Sequence, residues 1–434
     1  MRIFSVLLLI FILSNCSTPK NNQIFVNTDI ENFWIAFDSI RSTSDSAKQS
    51  EYLNRLFIDK GSVGQKVMME VRNYTASEYL NAINSYPDFW NSIRDNTLNT
   101  ATYNLEIEKG VQNLKGIYPD LKPSTVYYTI GVFRSPGTGL DSLVLIGSEF
   151  ALGDSNTNTK EFPQELAQAK NYYEINPIEN IQFLSVHEYV HTQQKEIVNN
   201  LLSQSLYEGI AEFVTIKATG QNSPWQAFVY GPNNNETVRQ KFEDEMFNFR
   251  KTRNWLWSGR NNDFGINDMG YYIGYAIAKR NYEKAKDKKL AIKEMIELDY
   301  TNEAQVERFV DGSKYFSATL EELYNRYEEK RPKVSSIKQF KNGSQNVSPN
   351  LTEITIEFSE KLDSRYKSTG FGELGKEYFP KVNSIDFSED GLSVTYKVDL
   401  EPNKRYQIFL ENGYRTSTDN LLKPYLIDFK TAAK

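Results

Sequence analysis

The chain contains two histidines, His187 and His191, four residues apart, with Glu188 directly after the first. The run around them, Ile181-Gln182-Phe183-Leu184-Ser185-Val186 and then Tyr189-Val190, has helical character. On an α-helix, positions i and i+4 lie about 40° apart around the axis, so both imidazoles can reach one zinc ion. Glu188 is offset toward the coordination position that the protein ligands leave open. A carboxylate there can take a proton from a zinc-polarised water and pass it on. The spacing His-Glu-x-x-His is therefore a zinc signal with a general base built in.

Such a site needs a third protein ligand. No other histidine exists, and the one cysteine, Cys16, stands at the amino-terminal end. This excludes a third histidine of the metzincin type and leaves a carboxylate. The stretch Leu206-Tyr207-Glu208-Gly209-Ile210-Ala211-Glu212-Phe213 reads as a second helix. Sixteen residues separate His191 from Glu208, enough for a helix end, a turn and an antiparallel return. Glu208 and Glu212 are four apart and can both face the first helix; one binds zinc and the other orients an imidazole N–H from behind. Glu208 is favoured as the ligand, with Gly209 letting the two helix backbones approach closely.

The elements that must position these residues divide the chain as follows. Residues 28–120 are helical in pattern, with sparse Pro and Gly. Residues 121–331 are α+β: β-rich runs at 126–133 and 143–147 around a turn at 135–139, then helical periodicity at 178–219, 242–249, 271–286 and 320–330. After Arg331-Pro332 the pattern alternates, with Ile354, Ile356 and Phe358 on one face, then Leu392, Val394, Tyr396 and Val398, then Tyr406, Ile408 and Leu410. Turns at Asn342-Gly343, Asp390-Gly391 and Pro402-Asn403 separate these runs, so residues 332–434 are expected to form an all-β Ig-like sandwich.

The amino terminus carries Arg2 and an apolar run at 3–13, too short to span a bilayer, which takes roughly 20 residues. Leu13-Ser14-Asn15-Cys16 looks like a bacterial lipobox, with residues 1–15 as signal peptide, Cys16 as the lipidated residue and 16–27 as tether. The lipid is then the only membrane attachment, and a lone cysteine leaves no internal disulfide. The balance of 39% hydrophobic, 24% charged and 13% aromatic residues is globular, and a net charge of −6 argues against a nucleic-acid partner. Ser17-Thr18-Pro19-Lys20 holds no acidic cluster of the surface-export kind, so a periplasm-facing position in a bacterial cell envelope is preferred. Nothing in the sequence sets the oligomeric state.

The pattern His-Glu-x-x-His followed by Glu208-Gly209-x-Ala211 resembles the gluzincin metallopeptidases. More closely it is similar to a bacterial family described only as zinc-dependent proteases, which also carries Gly270-Tyr271-x-x-Gly274-Tyr275. The resemblance covers roughly residues 126–280. It implies a zincin-like catalytic domain, zinc on His187, His191 and Glu208, Glu188 as general base, and hydrolysis of a peptide or protein substrate. It also implies that 143–147 is the edge strand pairing with extended substrate. Tyr271, ahead of Tyr275, is the candidate donor to the developing oxyanion. The strings Val347-Ser348-Pro349, Ile354 to Asp363 and Leu400-Glu401-Pro402-Asn403 resemble bacterial Ig-like modules of surface proteins. Two other functions are open: a binding or structural lipoprotein that keeps a zincin fold with weak or no catalysis, and a hydrolase of a non-peptide amide such as a cell-wall crosslink. The presence of Glu188 favours catalysis over the first.

Overall fold

The computed structural model describes residues 24–411 and 413–433; the expected signal peptide, Cys16 and most of the tether lie outside them. The described chain forms two compact units.

The first unit opens with the strand Phe25–Val26 and six α-helices, Thr28–Arg41, Ser46–Leu53, Val63–Val71, Ala76–Ser85, Pro87–Leu98 and Ala101–Ile117. Local chemistry sets their starts. The Asp45 carboxylate accepts the N–H groups of Ala47 and Lys48, Thr75 and Glu78 form a capping box, and Pro87 opens its helix. Their shared face is aromatic: Phe33, Trp34, Phe57 and Trp90 are buried, with the Phe33 and Trp90 rings 4.8 Å apart.

These helices share a unit with a four-stranded sheet. Phe25–Val26 runs parallel to Thr125–Thr129, which is parallel to Leu143–Gly147, which is antiparallel to Gly137–Leu140. The edge strand is thus Gly137–Leu140 and not 143–147, which lies inside the sheet with Val144, Leu145 and Ile146 fully buried. The chain reverses through Asp141, whose φ of 51° is left-handed, and folds Gly137-Thr138-Gly139-Leu140 back onto the apolar strand. Glycines with no side chain to pack read as a turn, but here they form a strand because another backbone lies against them.

Glu149, just after the inner strand, is fully buried and accepts the Gly131 N–H at 2.8 Å. Burial, only partly offset by backbone N–H donors of Gly131 and Phe133, pushes its carboxyl up to about 7. A carboxyl raised in the folded state favours folding while protonated. Its contribution is complete below the unfolded value near 4.5 and is lost as pH rises through about 7. Thermal unfolding followed from pH 4.5 to 8 should show this loss, up to about 3 kcal/mol. Glu149→Gln should flatten the profile, and an unchanged profile would refute the assignment.

The second unit holds the helices Asn235–Glu245, Met269–Lys284, Lys288–Ile296, Glu303–Ser313 and Leu320–Lys330, followed by β-strands. One sheet has the order Val334–Ile337, Glu353–Phe358, Ser393–Asp399, Lys381–Phe387, and a second has Tyr425–Lys430, Arg405–Leu410, Thr369–Gly370. All pairings in both are antiparallel. The alternating residues predicted to share a face, among them Ile354, Ile356, Val394, Tyr396, Tyr406 and Ile408, meet Ile427 and Phe429 in one core. Leu392, expected on that face, is instead exposed, because it stands in the turn before the strand Ser393–Asp399 begins. Arg331 donates to the carbonyls of Leu421 and Leu422, and Asn248 donates to the carbonyl of Asp419. No described helix is long and apolar enough to cross a membrane.

Candidate metal centre

His187 and His191 lie on the helix Ile181–His191, which follows a short 3-10 turn, Pro177–Asn180. Every residue of the helix but Leu184 is buried, so it has no solvent face and its polar side chains must find partners inside. The two imidazole Nε2 atoms face each other at 2.9 Å. Two ligand nitrogens on a tetrahedral zinc at ~2.05 Å stand about 3.3 Å apart, so small side-chain shifts seat an ion between them. Gln194 supports this: its Oε1 lies 2.7 Å from His191 Nδ1. A proton held on Nδ1 by that amide oxygen leaves the Nε2 lone pair for a metal.

The edge strand lies on this helix. A Cβ at Gly139 would sit 2.2 Å from the Glu188 carbonyl oxygen and 2.7 Å from His191 Cβ. One at Gly137 would sit 2.7 Å from Glu188 Oε1. Both positions thus exclude a side chain so that backbone can close over Glu188. Arg72 fixes the strand, donating to Thr138 Oγ1 and, at 3.3 Å, to the Gly137 carbonyl. The Tyr172 phenol is pushed up by burial and then by the Glu188 carboxylate.

Glu208 and Glu212 lie on the helix Leu201–Thr219. Glu212 is fully buried and accepts the Trp225 indole N–H at 3.0 Å. Burial, followed by the Glu208, Asp268 and Glu212 carboxylates, pushes the Tyr271 phenol far up. Tyr271 therefore keeps its proton beside Glu208. Gly209 faces the helix Met269–Lys284 rather than the histidine helix: a Cβ on it would fall 2.2 Å from the Tyr275 backbone nitrogen. A Cβ on Gly274 would fall 1.9 Å from the Ser205 carbonyl oxygen. The conspicuous glycines of both motifs are thus a helix-packing device.

One ligand atom from each of His187, His191 and Glu208 lies within 4.8 Å of the others. Two imidazoles and a carboxylate form a donor set that suits zinc. Sequence reasoning did not find Gln194, Gly137, Gly139, Tyr172 or Asp268. Gln194 stands three residues after His191, and that spacing is its one sequence signal, whereas the others carry no motif.

Together these features define a modular protein, with a helical and sheet region bearing a His–His–carboxylate cluster, followed along the chain by an Ig-like sandwich. Comparison with known families agrees with the sandwich, since a bacterial Ig-like domain matches residues 328–431. The family of the gliding motility protein GldB, a lipoprotein family, matches residues 14–264, more than half of the chain, and the chain belongs to that family. Among curated proteins none matches. Solved structures that align include the S-layer protein SbsC and its domains 1–6, each at 14% identity and a TM-score of 0.18 over 63% of this chain. The chain spans 38% of the length of those two. The N-terminal part of SbsC aligns at 15% identity and a TM-score of 0.19, over 64% of this chain and 66% of its own length. Values that low define no common fold.

Family membership corrects the sequence reading. The matched residues include His187, Glu188, His191 and Glu208, and the family they define is one of gliding motility and not of peptidases. The gluzincin and zinc-dependent-protease resemblances, and the metallopeptidase activity they implied, are withdrawn. The reason is physical. A spacing of four residues is what one helix needs to bring two imidazoles to one ion, so His-Glu-x-x-His encodes chelation geometry and says nothing of what is bound next. Glu188 is accordingly no evidence of catalysis by its presence. The envelope lipoprotein assignment agrees with the family.

Proposed function

We propose that this chain is a cell-envelope lipoprotein that binds rather than cleaves, holding one zinc ion on His187, His191 and Glu208 within a gliding apparatus. It keeps a zincin-like arrangement of ligands, with the ion serving as a structural or ligand-binding element. The observation that carries this reading is the pair of buried Nε2 atoms at 2.9 Å, with Gln194 on the outer nitrogen of His191. Two facing imidazole lone pairs in a buried site repel unless a proton or a cation lies between them, and His187 and His191 are 7% and 9% exposed. Cys16 would carry the lipid, the anchor would face the periplasm, and the Ig-like module would act as spacer or binding appendage.

Metal analysis of the full chain, purified in detergent under metal-replete conditions, tests the proposal. About one zinc per chain is expected, with a melting temperature that falls on chelation and recovers on zinc addition. A metal-free chain whose unfolding ignores chelator would overturn it.

A further inference from the structure

The segment between Trp255 and Met269 presents one large aromatic side chain outward. Trp34, Trp90 and Trp255 are buried and Trp225 is half-buried, but Trp257 is 51% exposed. Its backbone is left-handed at a φ of 57°, a conformation that is strained for a bulky residue. Two other left-handed positions of the same segment are glycines, Gly259 at 61° and Gly265 at 63°. A tryptophan is thus kept where glycine would be relaxed. One contact holds it there. Its N–H donates to Asp268 Oδ1 at 2.7 Å, and Asp268 is itself left-handed at 58° and feels the Glu208 carboxylate. Asn262 folds the loop from within, donating to Ser258, to the Gly259 carbonyl and to the Ile266 carbonyl, while Arg260 and Asn261 are exposed.

We propose that Trp257 is the stacking platform of a saccharide-binding surface that leads to the Glu208 side of the metal centre. The inference deepens the metal-centre reading and rests on it for the ligand's second anchor. A pyranose ring offers a face of C–H groups to an indole and a rim of uncharged hydroxyls, matching an aromatic side chain in a loop that also exposes the Asn261 amide and the Asp263 carboxylate. Charge selects against the alternatives. Glu208, Glu212 and Asp268 stand around Tyr271 and disfavour an anion, whereas Arg260 at the rim disfavours a basic side chain seeking the indole.

The test is intrinsic fluorescence of the full zinc-loaded chain, titrated with a tetramer of N-acetylglucosamine, with maltotetraose and with tetralysine. A saturable spectral shift with at least one saccharide is expected, weakened about tenfold or more in Trp257→Ala as read by calorimetry. Trp257→Gly, which the left-handed backbone favours, should keep or raise the melting temperature while losing the same binding, so misfolding cannot explain the loss. Zinc content is measured on each sample and should stay the same in both variants. Binding of neither saccharide, saccharide affinity unchanged in both variants, or a response to tetralysine alone would each overturn the inference. A wild-type chain lacking zinc would instead sink the metal-centre reading, a result the saccharide titration does not produce.

Discussion

Gly274→Ala is expected to unfold or severely destabilise the second unit, by ~3 kcal/mol or more. The added methyl would sit 1.9 Å from the Ser205 carbonyl oxygen and 3.0 Å from Gly209 Cα, both backbone atoms that no rotamer change can move. The helix Met269–Lys284 would have to retreat from Leu201–Thr219 along the line where Gly209 meets Tyr275. Tyr271 lies one turn before the contact and would shift with it, changing its relation to Glu208. Denaturant unfolding of wild type, Gly274→Ala and Gly312→Ala provides the check. A Cβ on Gly312 meets only the Asn281 side chain, at 3.9 Å, so that helical control should stay near wild type or gain slightly. Equal stability of all three proteins would show that the two helices are not held at the close distance described.

His191→Ala is expected to abolish stoichiometric zinc binding, leaving less than about one-tenth of an ion per chain, whereas Gln194→Ala should retain zinc at roughly 10- to 100-fold lower affinity. The contrast follows from position. His191 supplies a donor atom, one of three that lie within 4.8 Å of one another, and no other histidine can replace it. Gln194 touches only the far nitrogen, at 2.7 Å, so its loss frees the ring to turn and to take the other tautomer without removing a ligand. Competition titration against a chromophoric chelator reads both effects. Wild-type affinity in Gln194→Ala would remove the orienting role, and full zinc in His191→Ala would place the ion elsewhere.

Much of this protein was legible from residue types at fixed spacing. The alternation in 354–358, 394–398 and 406–410 determined the sandwich, because a period of two admits one buried face, and those residues meet in its core. The helical character around His187 and His191 determined that both rings share one side of a helix, because that follows from helix geometry alone. Other features depended on which backbones meet, which local patterns do not encode. Gly137 and Gly139 read as a turn until the helix at Glu188 was found against them, and that contact made Gly137–Leu140 the edge strand in place of 143–147. Gly209 was expected to approach the histidine helix, but its Cα hydrogens face Gly274 and Tyr275 instead. Function was the least legible, since a metal-chelating spacing is shared by hydrolases and by proteins that only bind. The sequence by itself determined the ligand spacing and the sandwich periodicity, both local properties of one element. Only the tertiary structure decided the sheet order, the glycine contacts and Trp257 turned outward, because each depends on segments distant in the chain or on a loop closing over its own backbone.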